Sequence, residues 1–215
     1  MESSHDEAVN SPATTTCQVP WNKGKLIGAK PPLRIKHVWA IRSTLQLSNR
    51  TRDLAMFNLG IDSKLRGCDL VSLRVADVAP QGHAIARTTV RQKKTGRPVM
   101  FELTEHTRES VDAYLRAKGR HASGYLFPGR GGGAPHMSTR QYARLLDSWL
   151  QQIGLDPALY GTHSLRRTKA TLIYKRTGTL RAVQILLGHT KIESTVRYLG
   201  VEVNDALEIA EQTDV

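Results

Sequence analysis

The spacing of apolar residues predicts helices over most of the chain that follows Pro31-Pro32. Apolar side chains three or four positions apart define two early helices, one with Ile35, Val38, Trp39 and Leu45 and one with Leu54, Met56, Phe57 and Leu59. A short helix is predicted around residues 68–73, and longer ones over 104–118, from 138 on, over 164–176 and over 180–187. Gly119, Gly178 and Gly188 lie where three of these helices are expected to end, as is typical of C-caps.

Between the early and the late helices the pattern changes to short extended pieces at residues 75–78, 83–90 and 98–103. Thr95-Gly96 is a turn signal between the last two pieces, which are therefore expected to pair as a hairpin. The predicted fold class is α+β: a mainly helical domain with a small antiparallel sheet.

Two further segments match the capping box that opens a helix, Ser138 with Gln141 and Thr190 with Glu193. The second box is expected to open a short helix that carries Tyr198 near its end. The helix after the first box has an apolar stripe that is predicted to be core, namely Tyr142, Leu145, Leu146, Trp149 and Ile153.

The two ends of the chain differ from its middle. Residues 1–30 are rich in Ser, Thr, Pro and Gly and are predicted to be a flexible tail, whereas 31–200 fit one domain. Residues 201–215 are predicted to form an amphipathic helix or tail that serves assembly, because their apolar positions need burial.

No signal peptide and no apolar run of ~20 residues is present, and the two cysteines, Cys17 and Cys68, form no disulfide framework or zinc cluster. We therefore expect a protein of the bacterial cytoplasm without a membrane partner.

The net charge of +12 is concentrated in the middle of the chain. Eight acidic residues and no Lys or Arg lie in residues 1–16 and 201–215, which leaves 31 basic and 11 acidic residues between them, a net charge of +20. Such a charge predicts a polyanionic partner. A basic protein without that partner remains an alternative, and a membrane surface is disfavoured because no basic amphipathic helix with a wide apolar face is present.

Several residues of the basic middle form an ordered set. Arg66 ends a short helical run, His163-Ser-Leu-Arg166 follows much later, and Gly188-His189 and Tyr198 come last. Arginine binds phosphate oxygens in bidentate fashion and stays charged, while tyrosine can form a covalent intermediate. The set therefore suits attack on a phosphodiester by a tyrosine hydroxyl, without a metal or a cofactor. Each residue alone has a plainer explanation as a surface, core or helix-end residue.

The motifs resemble the catalytic domain of the tyrosine recombinase, or phage integrase, family over residues 33–200 or so. Leu65-Arg-Gly-Cys-Asp-Leu70 looks like its first arginine box and His163-Ser-Leu-Arg166 like its second. Leu186-Leu-Gly-His189 with Thr195-Val-Arg-Tyr198 looks like the third. The hairpin tip Lys93-Lys94-Thr-Gly-Arg97 matches the family's catalytic lysine, for which we choose Lys94 and keep Lys93 as the alternative.

The resemblance implies a site-specific DNA recombinase that joins strands through a 3′-phosphotyrosine. Arg66 and Arg166 would clamp the phosphate with a hydrogen bond from His189, His163 would assist proton transfer, Lys94 would protonate the 5′ oxygen, and Tyr198 would be the nucleophile. Double-stranded DNA is the expected partner. The basic residues predicted to contact it are Arg91, Lys93, Arg97, Arg140, Arg144, Arg167 and Lys169.

The resemblance also implies assembly on DNA as a homotetramer. Because only about 30 tail-like residues precede the catalytic region, we expect a minimal recombinase without the family's usual DNA-clamping domain, and accessory DNA-binding proteins are candidate partners. The alternatives are a relaxing topoisomerase of the type IB mechanism, a non-catalytic DNA-binding regulator on the same fold, and a basic RNA- or ribosome-associated protein.

Overall fold

The computed structural model describes residues 29–119, 124–129, 135–200 and 211. Within these residues it contains nine α-helices, one 3-10 turn at Pro157–Leu159 and two strands. The helices are α1 (Ile35–Leu47), α2 (Thr51–Ser63), α3 (Gly67–Val71), α4 (Val75–Val78), α5 (Glu105–Lys118), α6 (Thr139–Gln152), α7 (Thr162–Thr177), α8 (Leu180–Leu187) and α9 (Ile192–Leu199). The strands are β1 (Arg87–Arg91) and β2 (Pro98–Glu102).

The two strands form an antiparallel hairpin in which Arg87 pairs with Glu102 and Arg91 with Pro98. This arrangement confirms the predicted fold class, a mainly helical domain with a small antiparallel sheet. β1 begins four residues later than predicted, because Ala84 N donates to Asp112 Oδ1 and Ile85 N donates to the Val78 carbonyl. Those two bonds occupy the backbone N–H groups of Ala84 and Ile85, so these residues do not extend the ladder.

The predicted extended piece at 75–78 is wrong, since these residues form the single helical turn of α4. Val75 and Val78 are both buried, and residues three apart share one face of a helix. The Asp77 carboxylate accepts a hydrogen bond from Arg74 N at 2.7 Å and so fixes the start of the turn. In a strand, residues three apart would face opposite sides, so the spacing of the two valines and the Asp77 contact both favour the helix.

The helix ends follow the predicted glycines. Gly119, Gly178 and Gly188 are C-caps with positive φ, and the capping box of Ser138 with Gln141 opens α6 as predicted. The box predicted for Thr190 and Glu193 is wrong, because the N-cap of α9 is Lys191 without a side-chain bond. The Thr190 carbonyl instead accepts a hydrogen bond from Gln184 Nε2 at 3.1 Å, which ties the α8–α9 connection to α8.

The helices enclose a main core and a smaller apolar cluster. The main core joins α1, α2, α5 and α6, with Phe57 and Trp149 in edge-to-face contact at 5.7 Å. All five residues of the predicted stripe belong to the main core as buried or partly buried side chains; four lie within α6, and Ile153 follows the helix as its C-cap. The smaller cluster lies between α7, α8 and α9 and is built on Ala170, Val183 and Leu187. Tyr198 packs against this smaller cluster, which sets the position of its helix.

A buried ion cluster connects the end of α2, β2 and α7. Lys64 Nζ, fully buried, lies 3.1 Å from Glu102 Oε1, and Lys169 Nζ lies 2.8 Å from Asp62 Oδ1 and 2.7 Å from Glu102 Oε1. Asp62 Oδ2 accepts further bonds from the Thr104 and Thr107 hydroxyls. Because each charge has a partner of opposite sign, the cluster can remain ionised inside the protein.

Both predicted end segments lie almost wholly outside the described residues, as do Cys17 and most of the glycine loop at 129–133. Among the helices that the structure describes, none is long and apolar enough to cross a membrane.

Candidate active site

Arg166 occupies the centre of the predicted site. It lies in the first turns of α7, is only 2% exposed, and donates from Nη2 to the Leu187 carbonyl at 2.7 Å. Its Nε is buried and has no hydrogen-bond partner among the described residues. Burial is the main cause of a lowered pKa, yet arginine remains charged in proteins. An unpaired guanidinium nitrogen in this position can donate to an anion once an acceptor oxygen reaches it.

Arg66 faces the same region from another element. It is the N-cap of α3 with extended backbone and thus precedes a helix, so the prediction that it ends a helical run is wrong. Its Nη1 donates to Gln92 Oε1 at 2.5 Å. Asp69, three residues on, is buried and accepts a bond from Lys93 N at 2.8 Å through Oδ1, which attaches the hairpin tip to α3.

Tyr198 lies beside two arginines. The centre of its ring is 5.6 Å from Cζ of Arg166 and 4.5 Å from Cζ of Arg167. Its hydroxyl is 3.5 Å from the His163 carbonyl oxygen. Burial raises the pKa of Tyr198, and the positive charges of Arg166, Arg167 and Arg66 act against that rise. The phenol is therefore protonated at neutral pH and needs a proton acceptor to become a nucleophile.

Two histidines contact Tyr198, His189 through its ring and His163 through its backbone carbonyl. His189 meets the Tyr198 ring edge to face at 5.4 Å, and its Nδ1 lies 3.1 Å from the Thr195 hydroxyl. Burial, with Arg166 and Arg66, lowers the pKa of His189 to about 4, so the ring is neutral at pH 7. Partial burial and three arginines likewise lower the pKa of His163. His163 is consequently an unprotonated base at neutral pH, and a neutral His189 can still donate one hydrogen bond.

The hairpin tip carries both predicted lysines. Lys93 Nζ is 3.4 Å from His136 Nε2, while Lys94 is exposed and has no bond among the described residues. Thr95 Oγ1 donates to Gln92 Oε1 at 2.9 Å. The structure thus brings four predicted catalytic residues together around Tyr198, namely Arg66, His163, Arg166 and His189. Lys94 lies exposed at the hairpin tip.

The residues predicted to contact DNA fall into two groups. The first group lies exposed on the hairpin and on α6 and comprises Arg91, Lys93, Arg97, Arg140 and Arg144. The second group is engaged within the protein: Arg167 donates from Nε to the Tyr198 carbonyl at 2.8 Å, and Lys169 belongs to the ion cluster. The contact with DNA stays a prediction for the first group, whereas the partners of Arg167 and Lys169 favour a role within the protein, which is proposed below.

Gln92 is a site residue that the sequence analysis did not single out. It is 2% exposed, and its side chain contacts Arg66, Thr95 and the Leu187 carbonyl. A signal exists in the strand pattern: Thr88, Val90 and Gln92 alternate onto one face, and Gln92 is the polar member nearest the lysines. Among the described residues, there is no group of three His, Cys, Asp or Glu side chains that could hold a metal ion.

Comparison with known proteins identifies the family of this chain. The sequence profile of the phage integrase family matches residues 33–204. A probable integrase/recombinase of Bacillus subtilis, YoeC, is 31% identical over 156 residues, which cover 73% of this chain and 81% of YoeC. The chain belongs to the phage integrase family, as the motifs predicted. This membership confirms the predicted tyrosine-recombinase class of enzyme.

Other relatives are longer than this chain. The tyrosine recombinase XerC of Chlamydia trachomatis is 27% identical over 184 residues, which are 85% of this chain and 58% of XerC. The crystal structure of XerA recombinase is similar with a TM-score of 0.68 at 21% identity, covering 86% of this chain and 65% of that one. XerH bound to its difH substrate in a pre-cleavage complex is similar with a TM-score of 0.63 at 18% identity, covering 85% and 54%. These two structures share the fold, and this chain spans less than two thirds of them.

Proposed function

We propose that this chain is a site-specific DNA recombinase that cuts and rejoins strands through a 3′-phosphotyrosine on Tyr198. The observation that carries the proposal is the pair formed by Tyr198 and Arg166, a half-buried phenol beside a buried guanidinium whose Nε is unpaired among the described residues. A phosphate placed there accepts hydrogen bonds from the arginine while its phosphorus faces the phenol oxygen. Preorganised donors of this kind stabilise the charge that develops on the transferring phosphoryl group.

Each flanking residue has a role in this proposal. Arg66 binds a second non-bridging oxygen, and His189 donates one hydrogen bond from its neutral ring. His163 accepts the proton of the Tyr198 hydroxyl, which its lowered pKa allows at neutral pH. Lys94, exposed at the hairpin tip, gives a proton to the departing 5′ oxygen. The bond between phosphorus and that oxygen breaks as the bond to Tyr198 forms, so the energy of the ester is kept and neither ATP nor a metal is required.

Double-stranded DNA is the proposed substrate. The exposed basic residues of the hairpin and of α6 support it, as do the middle charge of +20 and the DNA complex of the similar XerH. Arg167 and Lys169 are assigned a role within the protein instead, because their cationic groups already have partners. Action on DNA also supports the proposed location in the cytoplasm.

We further propose that the active form on DNA is a homotetramer, since exchange between two duplexes needs four strand cleavages. The acidic and apolar segment 201–215 is proposed to serve this assembly. Deleting residues 203–215 should leave binding to a single site nearly unchanged and lower the yield of recombinant product. Normal recombination by the truncated protein would exclude this role. A thermal unfolding midpoint well below that of the full chain would also exclude it, because the loss of recombination would then reflect unfolding.

The experiment that tests the proposed function uses plasmids carrying two copies of the DNA that flanks the gene, in direct or inverted orientation. A recombinase gives deletion or inversion products without added metal or ATP. Supercoil relaxation without recombinant product would identify a topoisomerase of similar mechanism. Binding without any strand cleavage would identify a non-catalytic regulator.

A further inference from the structure

Gln92 lies directly after β1 and is almost completely buried, with 2% of its surface exposed. Glutamine is mostly a surface residue, and its amide must be fully hydrogen-bonded to be buried at low cost. Its backbone is fixed as well, because its N–H donates to the Arg97 carbonyl at 2.9 Å and its carbonyl accepts from Gly96 N at 2.8 Å. The side chain therefore extends from a rigid base at the hairpin.

The amide of Gln92 connects three parts of the site. Oε1 accepts from Arg66 Nη1 at 2.5 Å and from Thr95 Oγ1 at 2.9 Å, while Nε2 donates to the Leu187 carbonyl at 3.2 Å. The same Leu187 carbonyl accepts from Arg166 Nη2 at 2.7 Å. Two donors face the amide oxygen and one acceptor faces the amide nitrogen, so only one orientation of the amide satisfies all three contacts.

The packing leaves this connection little freedom. A Cβ on Gly188 would lie 2.7 Å from Val99 Cγ2 and 3.1 Å from Gln92 Nε2, and its φ of +67° also favours glycine. The end of α8, the hairpin and Gln92 are therefore in close contact. A shift of the Gln92 side chain would move the Arg66 guanidinium or the carbonyl that holds Arg166.

We propose that Gln92 is a positioning residue that holds Arg66 and, through the Leu187 carbonyl, Arg166 at a fixed separation. This inference rests on the proposed function, in which both arginines bind one phosphate. Arginine side chains are flexible, and misplacement of a catalytic group by ~1 Å can cost ~10²-fold in rate. A buried amide bonded to both sides of the clamp removes that freedom before DNA binds.

The first test compares Gln92→Met and Gln92→Asn with the wild type. Methionine has similar length without hydrogen bonds, and asparagine keeps the amide but is one methylene too short to reach both partners. Single-turnover cleavage of a nicked suicide substrate at saturating protein should slow by ~10- to 100-fold in each, whereas the Kd for DNA changes little. Gln152→Met, at an exposed position at the end of α6, is the matched control and should cleave at the wild-type rate.

The second test asks whether Gln92 acts through the arginines. In an Arg66→Lys background the further change Gln92→Met should cost far less than it does alone, because groups that act as a unit are not additive. A substrate with a bridging 5′ sulfur should not restore the rate, since the defect lies in the clamp and not in protonation of the leaving group.

Three results would overturn the inference: wild-type cleavage by both Gln92 variants, multiplicative losses in the Arg66→Lys background, or rescue by the sulfur substrate. The last would mean that Gln92 acts through the hairpin lysine. Failure of the wild-type protein itself to form a covalent adduct would instead refute the proposed function, so the two failures are distinguishable.

Discussion

Arg167 contacts Tyr198 at two points: its guanidinium carbon lies 4.5 Å from the centre of the tyrosine ring, and its Nε donates to the backbone carbonyl oxygen of Tyr198 at 2.8 Å. Nη1 of the same arginine donates to the Lys30 carbonyl at 2.5 Å. The Arg167 side chain thus connects Lys30, which precedes α1, to the end of α9. This relationship predicts that Arg167 acts on the placement of Tyr198 and not on DNA contact.

Arg167→Met should slow single-turnover cleavage because α9 loses its hydrogen bond and the cation beside the phenol. The Kd for DNA and its dependence on salt should stay close to the wild-type values. Arg140→Met, an exposed change on α6, is the matched control and should reduce the salt slope by about 1 if Arg140 contacts a phosphate. A reduced salt slope with an intact cleavage rate in Arg167→Met would show that Arg167 contacts DNA after all.

The phosphate clamp predicts a different pattern for the two central arginines. Arg66→Lys and Arg166→Lys keep the positive charge but cannot make the forked contact, and losing one preorganised donor typically costs ~10²–10³ in rate. Cleavage rates at saturating protein should therefore fall by this factor while binding persists. If either variant cleaves at nearly the wild-type rate, the phosphate is held elsewhere.

The hairpin tip offers a choice between two adjacent lysines. Lys93 is restrained by His136 and by the bond from its N–H to Asp69, whereas Lys94 is exposed. Lys94→Ala should therefore be slow on ordinary DNA and should recover on a substrate with a bridging 5′ sulfur, because a thiolate leaves without a proton. Recovery of Lys93→Ala in its place would assign the general acid to Lys93.

The sequence was sufficient for the helices with strong periodicity and for the family of the chain, while the roles of the site residues stay predictions. It failed at 75–78, where the three-residue spacing of the two valines puts both on one face of a helical turn. It also failed at Thr190-Glu193, where α9 begins after Lys191 and the Thr190 carbonyl accepts a hydrogen bond from Gln184 Nε2. The alternation of β1 marks the face of Gln92, but its contact with the Leu187 carbonyl and that of Arg167 with the Tyr198 carbonyl could not be predicted, because these partners lie 95 and 31 residues away in the chain. Local pattern identifies elements, whereas contacts of this range arise only once the helices have packed.

The lowered pKa of His163 predicts the acid side of the pH profile. Partial burial and the charges of Arg166, Arg167 and Arg66 shift this pKa below 6.5, so the unprotonated base persists to a pH below that value. The cleavage rate at limiting protein concentration should decline only below pH 6.5. The His163→Gln variant should cleave more slowly than the wild type, and its rate should not show this decline. A decline centred above pH 6.5 in the wild type would contradict the role of His163 as the base.

The most direct measurement identifies the amino acid that becomes joined to DNA. A nicked suicide substrate is incubated with the protein, the covalent complex is digested with protease, and the peptide that carries the nucleotide is sequenced by mass spectrometry. Our account predicts a 3′ phosphate on Tyr198, a free 5′ hydroxyl on the other strand end, no adduct in Tyr198→Phe, and an unchanged adduct in Tyr174→Phe, a tyrosine of the same apolar cluster. An adduct on another residue, a 5′ linkage, or an adduct that survives in Tyr198→Phe would contradict it.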